Sequence, residues 1–114
     1  MKERPSPLPQ RPKNAEHETA IFAAEIGHAA PIDLHGLDTE RARAETDAFL
    51  DRSFMNGEEV VKIIHGRGEL KLKRVVEEIL RNHPLVEYFR GSQSPSESNA
   101  VTYVRLARKG HTEP

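Results

Sequence analysis

The sequence predicts an α/β fold, a two-layer sandwich in which two helices cover a mixed four-stranded sheet in the order β-α-β-α-β-β. Short segments that alternate apolar and polar residues, or that run together as β-branched residues, indicate strands. Between them, apolar residues recur at the three- and four-residue spacing of amphipathic helices. Strands joined through helices are expected to lie parallel, whereas a final strand joined by a loop can run antiparallel.

The first predicted strand and helix follow each other closely. PIDLHG (residues 31–36) has the period-two pattern of a strand. Asp38 can accept from the first free N–H groups of a helix. Asn-Gly at 56–57 supplies the left-handed stop that ends it.

The second predicted unit is a strand, a glycine turn and a helix. VVKII (60–64) is mostly β-branched and suits a buried strand. HGRG (65–68) follows, and helical apolar spacing then continues to Leu80, before Pro84 ends the helix. Unpaired N–H groups at the positive end of a helix favour a phosphate group as their partner.

Two further strands complete the predicted sheet. They cover residues 86–90 and 100–106, and a polar loop (92–99) joins them. Right-handed crossovers predict that the first three strands are parallel neighbours with both helices on one face, and that the last strand runs antiparallel.

The length of 114 residues indicates one domain. We place it at residues 31–107. A proline-rich, disordered tail (1–14) and a helical arm (15–29) precede it, and a tail (108–114) follows it. The arm is rich in helix formers, and packing on the domain is favoured over partner binding.

Charge and composition exclude several classes of function and site. The net charge of −1 gives no global basic signature, so attraction for nucleic acid must come from a local patch. Residues 60–114 carry ten basic and six acidic side chains, and this half contains the glycine turn. The absence of cysteine excludes disulfides and thiolate metal sites. With no apolar run of membrane-spanning length and no secretory signal, we expect a cytoplasmic protein without a membrane partner.

Polar side chains mark the ends of the first two strands. Asp33 and His35 stand at one, and His65 and Arg67 at the other. Because ligands gather at the carboxyl ends of parallel strands, these groups should meet in one anion pocket.

The residues in that pocket suit phosphodiester cleavage. Phosphate would be held by N–H groups near Gly66 and Gly68 and by the planar guanidinium of Arg67. His35 can serve as general base or acid because its unperturbed pKa is about 6.5. Asp33 could orient a histidine or bind a magnesium or manganese ion, and the sequence leaves both open.

Three other residues have weaker assignments. His65 could be the complementary acid or base, or could only hydrogen-bond the turn. Thr102 is at most a supporting hydroxyl among the substrate-binding residues. Lys71 lies on the exposed helix face, where it could contact phosphates.

The motifs DLHG (33–36) and HGRG (65–68), with a helix between them, resemble the small MutS-related (Smr) domain, and the match covers residues 31–107. This resemblance implies a fold like that of the C-terminal domain of translation initiation factor three, and nucleic-acid binding or cleavage. Glu69 and Leu70 depart from it, because the family commonly has a small residue and a further glycine there.

The residues and the resemblance together predict an endonuclease acting on DNA or RNA, with Asp33 and His35 central to cleavage. Two alternatives remain: a nucleic-acid-binding module without catalysis, and a protein-interaction domain that uses the helical arm and its proline-rich tail. Protein partners are not indicated.

Overall fold

The computed structural model describes residues 14–68 and 70–108. Most of both predicted tails therefore lies outside the described residues. The helices and strands, in chain order, are α1 (Ala15–Ile26), β1 (Ala30–Asp33), α2 (Thr39–Met55), β2 (Val60–Ile64), α3 (Leu70–Asn82), β3 (Val86–Gly91) and β4 (Val101–Leu106), with a 3₁₀ turn at Pro95–Glu97.

The four strands form one mixed sheet in the order β1-β2-β4-β3. β1 and β2 are parallel, and β4 is antiparallel to both β2 and β3. The predicted α/β fold with a mixed four-stranded sheet is therefore confirmed. The prediction that β3 is a neighbour of β2 is wrong, because β4 lies between them. A central strand needs apolar residues on both faces, and β4 has them, whereas β3 is partly exposed along its length.

One face of the sheet packs against α2 and α3. Their apolar stripes meet the side chains that β2 and β4 direct to this face, including Val61, Ile63 and Val104, all fully buried. The Asp38 side chain accepts from the Arg41 N–H at 2.7 Å and caps α2, as predicted.

The opposite face is covered by α1. Ile21 is fully buried there against a second apolar cluster that includes Val60, Val101 and Tyr103. Glu25 ties the helix to β3 through Arg90, with oxygen to nitrogen distances of 3.0 and 3.3 Å. The helix thus covers apolar sheet residues that α2 and α3 do not reach.

β1 forms one outer edge of the sheet. It is four residues long, and Pro31 within it has no backbone N–H group. None of the helices in the described ranges is long and apolar enough to cross a membrane.

Candidate active site

The ends of β1 and β2 lie side by side. Asp33 is in register with Ile64, and the next N–H along β1, that of Leu34, donates to the Ile64 carbonyl at 2.7 Å. The DLHG and HGRG segments therefore leave the same edge of the sheet together. Parallel pairing places these two segments, which are distant in sequence, next to each other.

Asp33 and His35 form a hydrogen-bonded pair at this edge. One oxygen of Asp33, Oδ1, accepts from both the His35 backbone N–H at 3.1 Å and the ring Nδ1 at 2.8 Å. The hydrogen bond from the His35 ring is the main cause that lowers the pKa of Asp33 below its ordinary value. Because an ionised carboxylate can only accept, Nδ1 carries the proton, and Nε2 is the basic position of the neutral ring. Both side chains are exposed.

The glycine turn has two residues that a side chain would strain. Gly66 and Gly68 have φ angles of 97° and 85°, in the left-handed region that favours glycine. The Gly66 N–H donates to the Ala100 carbonyl at 3.1 Å in this conformation, and phosphate binding at Gly66 stays a prediction. The Gly68 N–H makes no hydrogen bond within the described ranges and keeps that capacity.

Arg67 fastens the turn to the loop before β4. Its Nε donates to the Ser98 carbonyl at 3.3 Å, and one terminal nitrogen donates to the Ser96 carbonyl at 3.2 Å. The exposed guanidinium keeps its positive charge, and its second terminal nitrogen has donors left for an anion.

His65 and Thr102 lie in the core. His65 is fully buried, and its Nε2 and the Thr102 hydroxyl are joined by a hydrogen bond of 3.1 Å. Burial lowers the pKa of His65 and keeps the ring neutral. This geometry favours a structural role for His65, in which it forms hydrogen bonds, over a role as a catalytic acid or base. Neither group reaches the surface in this conformation, and substrate contact by Thr102 stays a prediction.

A cavity of about 320 Å³ adjoins the glycine turn. Its lining residues are Arg67, Gly68, Leu70, Lys73 and Asn99. Lys71 is exposed on α3 but does not line this cavity. Sequence reasoning missed Asn99, which has a φ angle of 61°. Asparagine is among the few residues that tolerate that region, so its position at the end of the polar loop before β4 was a usable signal.

A second cavity, of about 640 Å³, lies between α2 and α3. There His83 faces Asp47 and Asp51 through Nε2, at 3.3 and 3.6 Å, while its Nδ1 accepts the Leu85 N–H. The proton of the neutral ring is therefore on Nε2, which makes this nitrogen a donor rather than a metal ligand. Across the described ranges, no group of three or more His, Cys, Asp or Glu side chains could hold a metal ion.

Relatives among known proteins carry the same domain. The model of the Smr domain family matches residues 32–107. The chain is 37% identical over 78 residues to endonuclease MutS2 of Clostridium novyi and 32% identical over 98 residues to that of Listeria innocua. These matches cover 68% and 86% of this chain but only 10% and 12% of the relatives.

Solved structures agree with the sequence relatives. The crystal structure of the Smr domain of Thermus thermophilus MutS2 superposes with a TM-score of 0.65 at 32% identity, covering 68% of this chain and 98% of that one. YdaL, a stand-alone small MutS-related protein from Escherichia coli, gives a TM-score of 0.70 at 20% identity, covering 87% of this chain and 82% of that one, and shows the shared fold. This chain belongs to the Smr domain family.

Proposed function

We propose that this chain is a nucleic-acid-binding endonuclease that uses the Asp33–His35 pair to cut phosphodiester bonds in DNA or RNA. The observation that carries the proposal is the exposed, hydrogen-bonded pair directly beside the HGRG turn. The relatives named endonuclease MutS2 contain the same domain and support it.

The chemistry follows from the orientation of the His35 ring. Nε2 takes a proton from the attacking oxygen, which is a water molecule or, on RNA, the neighbouring 2′-hydroxyl. Asp33 holds the ring in the required tautomer and stabilises the imidazolium that forms. The imidazolium then gives its proton to the leaving oxygen as the phosphorus–oxygen bond breaks.

The phosphoryl oxygens need positive charge and hydrogen-bond donors. Arg67 supplies a guanidinium that its two loop contacts already position, and Gly68 supplies a backbone N–H. A magnesium ion commonly binds one or two carboxylates and completes its shell with water and phosphate oxygens. Asp33 fits such an ion through its second oxygen, and the ion would neutralise charge on the phosphoryl group.

The decisive comparison is His35→Ala against the parent protein on labelled, structured DNA and RNA, with magnesium, with manganese and without added metal. Loss of general base catalysis should slow cleavage about 100-fold or more, with affinity changed less than about twofold. His28→Ala, which removes another exposed histidine, is the matched control and should cleave normally. Cleavage by His35→Ala at the parent rate would contradict the proposal.

A second candidate is a nucleic-acid-binding module without catalysis. The burial of His65 favours it, because only one of the two predicted acid-base histidines is exposed. In that case neither DNA nor RNA would be cut under any metal condition. Nucleic-acid binding would weaken as the salt concentration rises, and it would also weaken in Arg67→Ala. A cytoplasmic location stays a prediction.

A further inference from the structure

We infer that the cavity beside the glycine turn is a subsite for one unpaired nucleobase of the bound strand. The inference rests on the proposed nucleic-acid binding and names the part of the ligand that this cavity takes. It uses three properties of the cavity, which are an exposed apolar side chain, an amide at the rim and two cations.

Leu70 supplies the apolar surface. It is 56% exposed at the first position of α3, whereas Leu72, two residues later, is buried in the core. The helix therefore has its own apolar anchor and does not need Leu70 for packing. An aliphatic side chain held at the mouth of a cavity can cover one face of a flat base and shield it from water.

Asn99 supplies the polar recognition. Its amide offers both a donor and an acceptor, the pair of functions that base edges present. It makes no hydrogen bond with other parts of the described chain. Asn99 is also the one non-glycine residue with a positive φ angle among the described residues, where a glycine would fit without strain.

Charge and size define the ligand further. Arg67 and Lys73 line the same cavity as Leu70 and can hold the phosphates on either side of a base. The volume of about 320 Å³ is at the small end of the range of about 300–1,000 Å³ for small-molecule sites, so it suits one nucleotide. A paired and stacked base cannot enter, and the subsite therefore selects single-stranded or looped nucleic acid.

The test separates base contacts from phosphate contacts. Two labelled 12-nucleotide single strands are compared by fluorescence anisotropy, one of mixed sequence and one with the same backbone and abasic sites throughout. Both carry the same phosphates, so counterion release is the same for both. All proteins in this test carry His35→Ala so that the strands are not cut, and the parent here is the protein with that single substitution. The parent should bind the strand with bases about fivefold more tightly, toward the low end of what stacking of one base contributes.

Three further variants locate the preference. Leu70→Ala and Asn99→Gly should each reduce it to less than about twofold and leave the affinity for the abasic strand unchanged. Phe22→Ala removes a side chain that is 57% exposed on α1 and should keep the full preference. Thermal melting of each variant shows whether it is folded.

The outcomes distinguish this inference from the proposed function. Equal binding of both strands by the parent would overturn the base subsite and leave phosphate binding intact. A preference unchanged in Leu70→Ala and Asn99→Gly would also overturn it. Failure of the parent to bind either strand would overturn the base subsite, whereas the proposed function fails separately, if the protein with His35 intact cuts none of the structured DNA and RNA substrates.

Discussion

At the scale of single residues, two histidines in similar motifs have opposite environments. His35 shares its side of β1 with the exposed Asp33, whereas His65 shares its side of β2 with the buried Val61 and Ile63. Side chains two residues apart on a strand point to the same face. The alternation of side chains along β2 therefore predicts that His65 is buried. The similarity of the HGRG and DLHG motifs had instead suggested an exposed catalytic group.

The hydrogen bond between His65 and Thr102 leads to a prediction about stability. Thr102→Val should lower the free energy of unfolding by about 1–3 kcal/mol, because it leaves a buried ring nitrogen without its partner. Thr102→Ser keeps a hydroxyl and should lose less. Urea unfolding at pH 7 measures both. If Thr102 touched substrate instead, Thr102→Val would lose cleavage while its stability stayed at the parent value.

At the scale of elements, α1 is fixed by contacts that its own sequence does not reveal. Its composition predicts a helix, and the helix is present, but its apolar pattern is weak and Ile21 is its one buried residue. Glu25 accepts from Arg90, from the Ser92 hydroxyl and from the Gln93 N–H, all of them more than sixty residues away. Such pairs depend on the tertiary fold, so local periodicity could not predict them.

The Glu25 contacts predict a loss of stability in acid. The Arg90 hydrogen bond, the largest cause, lowers the pKa of Glu25 from 4.5 to about 2 in the folded chain. A carboxyl group with a lowered folded pKa stabilises the protein above pH 4.5, and this contribution is lost as the pH falls from 4.5 toward 2. The side chain is only 6% exposed, and the contribution at pH 7 is about 3 kcal/mol.

Glu25→Gln should therefore be less stable than the parent by about 3 kcal/mol at pH 7, and the difference should shrink toward pH 2. Urea unfolding at pH 7, 4 and 3 measures it. Glu40→Gln, at an exposed position in the first turn of α2, is the control. A difference that stayed constant with pH would contradict the role of the ionised carboxylate.

At the scale of the whole molecule, sequence predicted the fold class and the meeting of the two strand ends that carry the motifs, but not the strand order. A single anion pocket shared by Asp33, His35 and Arg67 stays a prediction, because the cavity beside the glycine turn is lined by Arg67 but not by Asp33 or His35. The meeting followed from the parallel pairing of β1 with β2, which the intervening helix favours. The wrong position of β3 came from the assumption that the strands before and after α3 are neighbours in the sheet. The apolar residues on both faces of β4, and the charged Glu87 and Arg90 within β3, were the sequence signals for the observed order.

The cover on the second sheet face predicts the effect of removing α1. A variant lacking residues 1–28 should lose at least about 2 kcal/mol of unfolding free energy, because the apolar cluster around Val60, Val101 and Tyr103 becomes exposed. It should also bind a hydrophobic dye. Urea unfolding and dye fluorescence measure these effects. Unchanged stability would indicate that the fold does not need α1. The protein-interaction alternative requires this, because α1 must then be available to a partner.

The outer strand β1 also affects how copies of the chain behave together. Strand addition by a second molecule requires a continuous run of main-chain donors and acceptors. β1 has only four residues, and Pro31 lacks the N–H donor. It is therefore a poor template for intermolecular sheet growth. Concentrated solutions should resist fibril formation that starts from this side of the sheet.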